Sequence, residues 1–254
     1  MLFEGQAAVI TGGASGLGAA AAAALSDAGM RPVLFDLDED KGASKAADLQ
    51  GMFQRVDVTD PASMAAGFAA ATEAFGPPRV LVNCAGIAPA AKTVSRGAPH
   101  DPSLFAKVIG VNLLGSFYAA SQAAALMVAA APVGPDGARG VIVNTASVAA
   151  YDGQIGQAAY AASKGGVAGM TLPMARDLSD KGVRVVSIAP GLFLTPMLEG
   201  LPPETQSSLG AQVPYPPRLG DPAEYGGLAR HIVENPMLNG EVIRLDGAIR
   251  MAPR

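Results

Sequence analysis

The sequence predicts an α/β fold in which a parallel sheet of seven strands is flanked by helices on both faces. Short apolar runs alternate with longer, alanine-rich helical stretches along the whole chain. The runs are apolar at consecutive positions, as strands buried on both faces are. This alternation is typical of a doubly wound sheet. Because neither a linker nor an internal repeat interrupts it, we expect one domain over residues 1–254.

The predicted elements follow one another in a regular order. The strand-length runs lie at 7–12, 31–36, 52–58, 79–86, 140–147, 183–191 and 241–247. The helical stretches lie at about 16–28, 41–48, 61–74, 101–130, 155–180 and 222–234. Residues 88–103 and 131–140 are rich in Pro, Gly and polar residues, so we expect surface loops there.

Residues 192–221 depart from the alternation, because they contain six prolines and several apolar side chains after the sixth predicted strand. A connection of this length is uncommon in a compact domain unless it is functional or disordered. Doubly wound sheets bind ligands at the carboxyl ends of their strands. We therefore expect a substrate loop or lid at 192–221; an ordered structural excursion or an oligomer contact is the alternative.

The composition excludes several classes of protein. Half of the 254 residues are hydrophobic, 16% are charged, and the formal net charge is −4. No Lys/Arg cluster stands out, so we expect no nucleic-acid partner. One cysteine and two distant histidines argue against a metal site and an internal disulfide. No apolar run of membrane-spanning length lacks polar or turn residues, and no signal peptide is apparent, so we expect a soluble, intracellular protein.

The first connection carries the glycine-rich run TGGASGLG between a strand and a helix. Gly12 permits a sharp turn, Gly16 lets the backbone approach a pyrophosphate, and Gly18 lets the helix pack closely. Ser15 and Leu17 add hydrogen-bond donors at the helix N-terminus. A tight turn without a ligand is the alternative, but the strand–loop–helix context favours a dinucleotide.

Further cofactor positions follow the next three strands. Asp36 ends the second strand, where a carboxylate binds an adenosine ribose diol and repels a 2′-phosphate, so it favours NAD over NADP; a solvated loop acid is the alternative. Asp57 and Val58 end the third strand, where an adenine would lie, although Asp57 could simply cap the strand end. Cys84 lies beside Gly86 at the end of the fourth strand, and we interpret it as a packing residue near the cofactor, because nothing nearby in sequence activates its thiol.

A proton-transfer group is predicted at Ser147, Tyr160 and Lys164. Tyr160 and Lys164 are four residues apart on a predicted helix and so share one face. Lowering a tyrosine pKa from about 10 to about 7 takes about 4 kcal/mol, which an ammonium about 4 Å away supplies at an effective dielectric of about 20. We therefore predict that Lys164 makes Tyr160 a general acid and base, while Ser147 binds the substrate oxygen. An exposed helix pair is the alternative for the tyrosine and lysine alone.

Asn112 lies inside the predicted helix 101–130, where asparagine is unfavourable by propensity. We therefore expect a specific hydrogen bond, and a link from Lys164 to solvent through a water is one possibility; a satisfied structural asparagine is the other. Neither a GxSxG elbow nor a GxxxxGK[ST] loop occurs, which argues against a serine hydrolase and a P-loop nucleotidase.

In combination, these motifs resemble the short-chain dehydrogenase/reductase family, over essentially the whole chain. They are TGGASGLG, NCAG, Asn112, Ser147, YAASK at 160–164 and Pro190-Gly191. The family usually has asparagine at the position of Cys84. The resemblance implies a Rossmann-type domain with NAD and a catalytic tetrad of Asn112, Ser147, Tyr160 and Lys164. It also implies that Tyr160, Lys164 and Phe193 contact the cofactor and that Thr195 holds the nicotinamide amide.

Segments GMTLPMARDL, IAPGLFLTPML and NPMLNGEVIRLDGAIRM are similar to those of family members that oxidise 3-hydroxyacyl-CoA to 3-oxoacyl-CoA with NAD. This closer likeness implies the same activity and a homotetramer. Since no mitochondrial presequence is apparent, we expect a bacterial cytoplasmic enzyme. An alcohol or hydroxysteroid dehydrogenase on the same scaffold, or a non-catalytic NAD-binding protein, is the alternative.

Overall fold

The computed structural model describes residues 2–200 and 202–253. Its strands are β1 (Ala7–Thr11), β2 (Arg31–Asp36), β3 (Met52–Arg55), β4 (Val80–Asn83), β5 (Val94–Ser95), β6 (Ala98–Pro99), β7 (Gly140–Thr145), β8 (Val183–Pro190) and β9 (Val242–Leu245). All but β5 and β6 form one parallel sheet of seven strands in the order β3-β2-β1-β4-β7-β8-β9. The predicted fold class is confirmed.

Helices connect these strands on both faces of the sheet. They are α1 (Gly16–Asp27), α2 (Glu39–Asp48), α3 (Pro61–Phe75), α4 (Pro102–Ile109), α5 (Gly115–Ala129), α6 (Ala158–Asp177), α7 (Pro196–Glu199), α8 (Pro203–Gly210) and α9 (Pro222–Glu234). Asp38, Asp60, Asp101 and Asp221 each accept a hydrogen bond from a first-turn N–H of α2, α3, α4 and α9. These side-chain caps explain why the helices begin where they do.

The strands are buried on both faces, so successive side chains enter two different cores. On one face, Ile10 belongs to a cluster with Leu25 of α1 and Tyr225 of α9. On the other, Val9 belongs to a cluster with Phe68 of α3 and Met127 of α5. Two helical layers therefore cover the sheet, and its carboxyl edge is left for a ligand.

Three predicted segments differ from the structure. The expected continuous helix 101–130 is wrong, since a π-helical turn at Gly110–Leu114 separates α4 from α5. The expected loop at 88–103 contains the β5–β6 hairpin. The segment 192–221 carries α7 and α8 over its described part, and its role as a substrate loop or lid stays a prediction; Leu201 lies outside the described residues.

The helical run Pro102–Ala129 is long and apolar enough, by composition, to cross a membrane, with a mean hydropathy of 1.3. Core helices of globular proteins also pass this test. Here Ala119, Ala123 and Met127 are fully buried against the sheet. The run therefore serves as a covering helix of the domain, and the expectation of no membrane partner stays a prediction.

The contact between α1 and α9 depends on a glycine. A Cβ at Gly226 would lie 2.5 Å from the Ala20 carbonyl oxygen, whereas one at the next residue, Gly227, would meet nothing within 4 Å. We expect Gly226→Ala to lower the free energy of unfolding by about 1–3 kcal/mol through overpacking. Gly227→Ala should raise it by up to about 1 kcal/mol, because alanine is the better helix former. Urea unfolding measures both, and equal effects would contradict this packing.

Candidate active site

The strand order reverses between β1 and β4, and a cavity of about 730 Å³ opens at the carboxyl ends of the central strands. Doubly wound sheets bind their ligands at this position. With the exception of Asn112, every residue predicted for the site lines this cavity. They are Gly12, Ser15, Gly16, Leu17, Gly18, Asp36, Asp57, Val58, Cys84, Gly86, Ser147, Tyr160, Lys164, Phe193 and Thr195.

The glycine-rich loop has the close packing that the sequence predicts. Gly12 adopts a φ of +65°, and a Cβ there would lie 2.8 Å from the Ala85 nitrogen. A Cβ at Gly18 would lie 2.0 Å from the Gly12 carbonyl oxygen, so α1 begins directly on the turn. The Ser15 hydroxyl makes no capping bond to α1. The first-turn N–H groups and this hydroxyl therefore suit a phosphate ligand.

Asp36 is fixed in place by the glycine-rich loop. Its carboxylate accepts hydrogen bonds from the Ala14 N–H (3.0 Å) and the Leu37 N–H (2.7 Å). Asp36 lines the cavity at the end of β2. Its carboxylate retains lone pairs that can accept hydrogen bonds from a diol. Its position suits the adenosine ribose of a dinucleotide.

Asp57 and Val58 lie beyond β3, at the same end of the cavity. The Thr59 hydroxyl and N–H donate to Asp57 Oδ1 at 2.7 and 2.9 Å. These bonds hold the pKa of Asp57 below its usual value. Asp57 therefore fixes the turn after β3, as the capping alternative expects. It also lines the cavity, so the two interpretations are compatible. Val58 also packs on the α5 N-terminus, where a Cβ at Gly115 would lie 2.8 Å from its Cγ2.

Lys164 projects from α6 to the carboxyl end of β7. Its ammonium donates to the Thr145 carbonyl oxygen at 2.6 Å, and only 5% of the residue is exposed. Burial lowers the pKa of Lys164 to about 8. The ammonium lies 5.9 Å from the centre of the Tyr160 ring.

The predicted tuning of Tyr160 by Lys164 is wrong in this structure. Burial raises the pKa of Tyr160, and a hydrogen bond with Ser147 opposes that rise. The reason is geometric: Lys164 points to a backbone carbonyl, so desolvation of the phenol outweighs the ammonium. Ser147 itself is buried and accepts from the Ala149 N–H at 3.1 Å. The structure thus brings two hydroxyls together above a buried cation.

Asn112 lies in the π-helical turn behind the cavity. Its amide nitrogen donates to the Ile87 carbonyl (2.9 Å) and the Ser163 hydroxyl (3.0 Å), and its oxygen accepts from the Ile87 N–H (2.8 Å). The side chain therefore joins the segment after β4 to α6. A Cβ at Gly86 would lie 3.3 Å from Asn112 Oδ1 and 3.7 Å from Lys164 Nζ. Asn112 is a positioning residue here, and its water link to Lys164 stays a prediction.

A polar cluster below the cavity escaped the sequence analysis. The Thr145 hydroxyl lies 2.7 Å from the hydroxyl of Tyr225, which is fully buried on α9. Cys84 Sγ lies 3.5 Å from the same tyrosine oxygen. Burial raises the pKa of the Cys84 thiol, which favours the interpretation of Cys84 as a packing residue. The contact spans 80 or more residues of sequence, so no local pattern indicated Tyr225.

The other end of the cavity also contains residues that the sequence analysis missed. Gln154 and Gln157 lie between Ser147 and Tyr160 in the chain, and they line the cavity with Leu198 and Met251. The two glutamines could have been noticed from their place between catalytic positions. Met251 had no such signal, because only the tertiary fold brings the C-terminal segment here. Among the described residues, no group of three or more His, Cys, Asp or Glu could hold a metal ion.

Residues 6–206 match the short chain dehydrogenase family, so the chain belongs to the short-chain dehydrogenases. It is similar to 3-hydroxyacyl-CoA dehydrogenase type-2 of Homo sapiens (53% identical) and of Rattus norvegicus (52%). Each match extends over 254 residues and covers 98% of this chain and 97% of the relative. The family resemblance stated from the motifs is confirmed.

The crystal structure of 3-hydroxyacyl-CoA dehydrogenase type-2 from Mycobacterium avium has the same fold, with a TM-score of 0.95 and 42% identity. The match covers 99% of this chain and 98% of that structure. The protein is therefore an oxidoreductase, and its dehydrogenase relatives imply a nicotinamide cofactor and a small-molecule substrate.

The buried Lys164 makes stability depend on pH. Its pKa is about 8 in the fold and about 10.4 in the unfolded chain, so between these values the unfolded chain binds more protons. Lys164 therefore contributes a rise in the free energy of unfolding between about pH 8 and 10, while the raised pKa of the Cys84 thiol contributes a fall. In urea unfolding, the free-energy difference between the wild type and Lys164→Met should increase over this range, whereas the difference between the wild type and the exposed control Lys92→Met should stay constant. Parallel pH dependences in all three proteins would contradict burial of the charge.

Proposed function

We propose that the protein is an NAD-dependent dehydrogenase that interconverts 3-hydroxyacyl-CoA and 3-oxoacyl-CoA. The observation that carries this proposal is that Tyr160, Ser147 and Lys164 line the same cavity as the glycine-rich loop. Nearly full-length similarity to 3-hydroxyacyl-CoA dehydrogenases type-2 supports the acyl-CoA substrate.

The chain's own groups account for the proton transfer. A phenol whose pKa lies above its usual value keeps its proton at neutral pH, so Tyr160 suits donation to the carbonyl oxygen during reduction. In the oxidative direction Tyr160 must first be deprotonated before it accepts the alcohol proton, and the Ser147 hydrogen bond favours that phenolate. Ser147 orients the substrate oxygen. NAD, when bound, supplies the hydride acceptor and a positive charge on its nicotinamide.

The proposal that the cofactor is NAD and not NADP depends on Asp36. Its carboxylate is held at the end of β2 by the Ala14 N–H, where it favours a ribose diol and repels a 2′-phosphate. No Arg or Lys occurs at 37–40 to balance a phosphate. Thr195, at the N-terminus of α7, borders the same cavity and is proposed to bind the nicotinamide amide; Phe193 is proposed to contact the cofactor beside it.

A homotetramer is the proposed assembly, as the closer resemblance implies, and the bacterial cytoplasm is the proposed location. Large apolar side chains that are more than one-third exposed on α4, the π-helical turn, α5 and α6 support an assembly: Phe105, Leu114, Phe117 and Leu172. Light scattering of the purified protein measures its mass, and a monomer would contradict the assembly. Fractionation of the source cells tests the location.

Tyr160→Phe tests the proposed chemistry. Wild-type protein should form NADH from 3-hydroxybutyryl-CoA and NAD, and the variant should lose about 10²–10⁴-fold in kcat, because the proton-transfer group is removed. Tyr118→Phe is the matched control: Tyr118 lies on α5 and does not line the cavity, so the kcat of this variant should stay at the wild-type value.

Near-wild-type turnover in Tyr160→Phe would remove Tyr160 from the mechanism. A panel of steroids and simple secondary alcohols belongs in the same assay. A higher kcat/KM for either class than for the acyl-CoA would favour the alternative dehydrogenase, and NAD binding without turnover on any substrate would favour a binding protein.

Asp36→Asn tests the cofactor preference. The substitution keeps the size of the side chain and removes the charge that repels a 2′-phosphate. The ratio of kcat/KM with NADP to that with NAD should rise by about tenfold, which corresponds to about 1.4 kcal/mol. Asp40→Asn, an exposed neighbour on α2, should leave the ratio unchanged. No change in Asp36→Asn would exclude Asp36 as the selecting group.

A further inference from the structure

We infer that Met251, in the C-terminal segment 246–253, forms the wall of the cavity that limits the length of the acyl chain. This inference rests on the proposed function and names the residue that sets its substrate range. Met251 is one of the residues that line the cavity. It is far in sequence from the glycine-rich loop and from Tyr160, so its place there needs a structural cause.

Hydrogen bonds hold the segment on both sides of Met251. Before it, the Arg244 guanidinium donates to the Ile249 carbonyl (3.0 Å), and Ile249 is buried. After it, the Gln154 side-chain amide donates to the Ala252 carbonyl (3.0 Å), and the Ile155 N–H donates to the Pro253 carbonyl (3.1 Å). The backbone around Met251 is therefore fixed against the loop that joins Ser147 to Tyr160.

An ion-pair network fixes the base of the segment. Arg244 binds Asp152 at 2.6 Å and Asp246 at 2.7 Å, and its guanidinium stacks over the Tyr151 ring at 5.4 Å. All three charged side chains are less than one-quarter exposed, so the pairs are less screened than surface pairs. Arg244 thereby couples the end of β9 to the loop that follows Ser147.

The segment also contacts the 192–221 excursion. The Tyr215 N–H donates to the Gly247 carbonyl at 3.2 Å, and a Cβ at Gly247 would lie 2.4 Å from Val213 Cγ1. A Cβ at Gly191, a cavity residue at the end of β8, would lie 3.4 Å from Ile249 Cγ2. The segment thus bridges the Ser147–Tyr160 loop and the 192–221 excursion.

This position places Met251 at the substrate end of the cavity. Its backbone neighbour Ala252 is bonded to Gln154, and Gln154 and Gln157 line the cavity near Tyr160. Asp36, the proposed ribose-binding carboxylate, ends β2, and the adenine-end residues follow β3; both strands lie on the other side of β1 from β4 and β7. A methionine side chain is apolar and adaptable, so it suits contact with an aliphatic chain and not with a dinucleotide phosphate.

The experiment compares 3-hydroxydecanoyl-CoA with 3-hydroxybutyryl-CoA as substrates for the full-length protein with NAD. Met251→Ala removes the side chain beyond Cβ and should raise the decanoyl-to-butyryl ratio of kcat/KM by about tenfold, the discrimination typical of apolar pockets. Met251→Phe places a rigid ring at the same position and should lower the ratio. KM for NAD should stay within about twofold in both variants, because the dinucleotide end is unchanged.

Met237→Ala is the matched control, since Met237 is 88% exposed, and it should leave the ratio unchanged. If Met251→Ala fails to fold, Met251→Phe and the volume-conserving Met251→Leu decide the question; Met251→Leu should keep the wild-type ratio. An unchanged ratio in Met251→Phe and Met251→Ala, with wild-type activity present, overturns this inference alone. Absence of NADH from both acyl-CoAs in the wild type overturns the proposed function as well.

Discussion

The buried ammonium of Lys164 is the constraint on which the rest of the site depends. A charge in this position must be hydrogen-bonded, and the Thr145 carbonyl at the end of β7 supplies its acceptor. Thr145 is fixed in turn through its hydroxyl, which contacts Tyr225 of α9. The strand end, the covering helix and the lysine therefore hold one another in place, and Tyr160, one helical turn before Lys164, is presented to the cavity by the same arrangement.

Much of the fold and of the site could be predicted from the sequence, because the signals are local. Buried parallel strands produce apolar runs, and the glycine-rich loop and the Tyr160–Lys164 spacing are linear motifs. Features that arise from contacts distant in sequence could not be predicted, as Asn112 and Tyr160 illustrate. In the π-helical turn, the Asn112 side chain hydrogen-bonds with Ile87 and Ser163, which are 25 and 51 residues away in sequence. The raised pKa of Tyr160 comes from burial, which depends on the packing of elements from the whole chain.

Different parts of the chain form the two ends of the cavity. The cofactor end is built from the loops after β1, β2 and β3, where the absence of side chains at Gly12 and Gly18 permits close backbone contacts. The substrate end is built from the Ser147–Tyr160 loop, the 192–221 excursion and the C-terminal segment. Because these parts lie at different ends of the cavity, the proposed role of Met251 in the substrate range is separate from dinucleotide binding and from the proton-transfer groups.

The balance between burial and charge at Tyr160 is tested most directly by its own titration. In protein labelled with ¹³C at the tyrosine Cζ, the Tyr160 resonance, assigned by its loss in Tyr160→Phe, reports the protonation of the phenol as a function of pH. In purified protein without dinucleotide, we expect Tyr160 to titrate above the usual tyrosine value of about 10, because burial outweighs an ammonium that is directed at Thr145. A midpoint near pH 7 under the same conditions would show that Lys164 controls the phenol directly, and it would contradict the geometry described above.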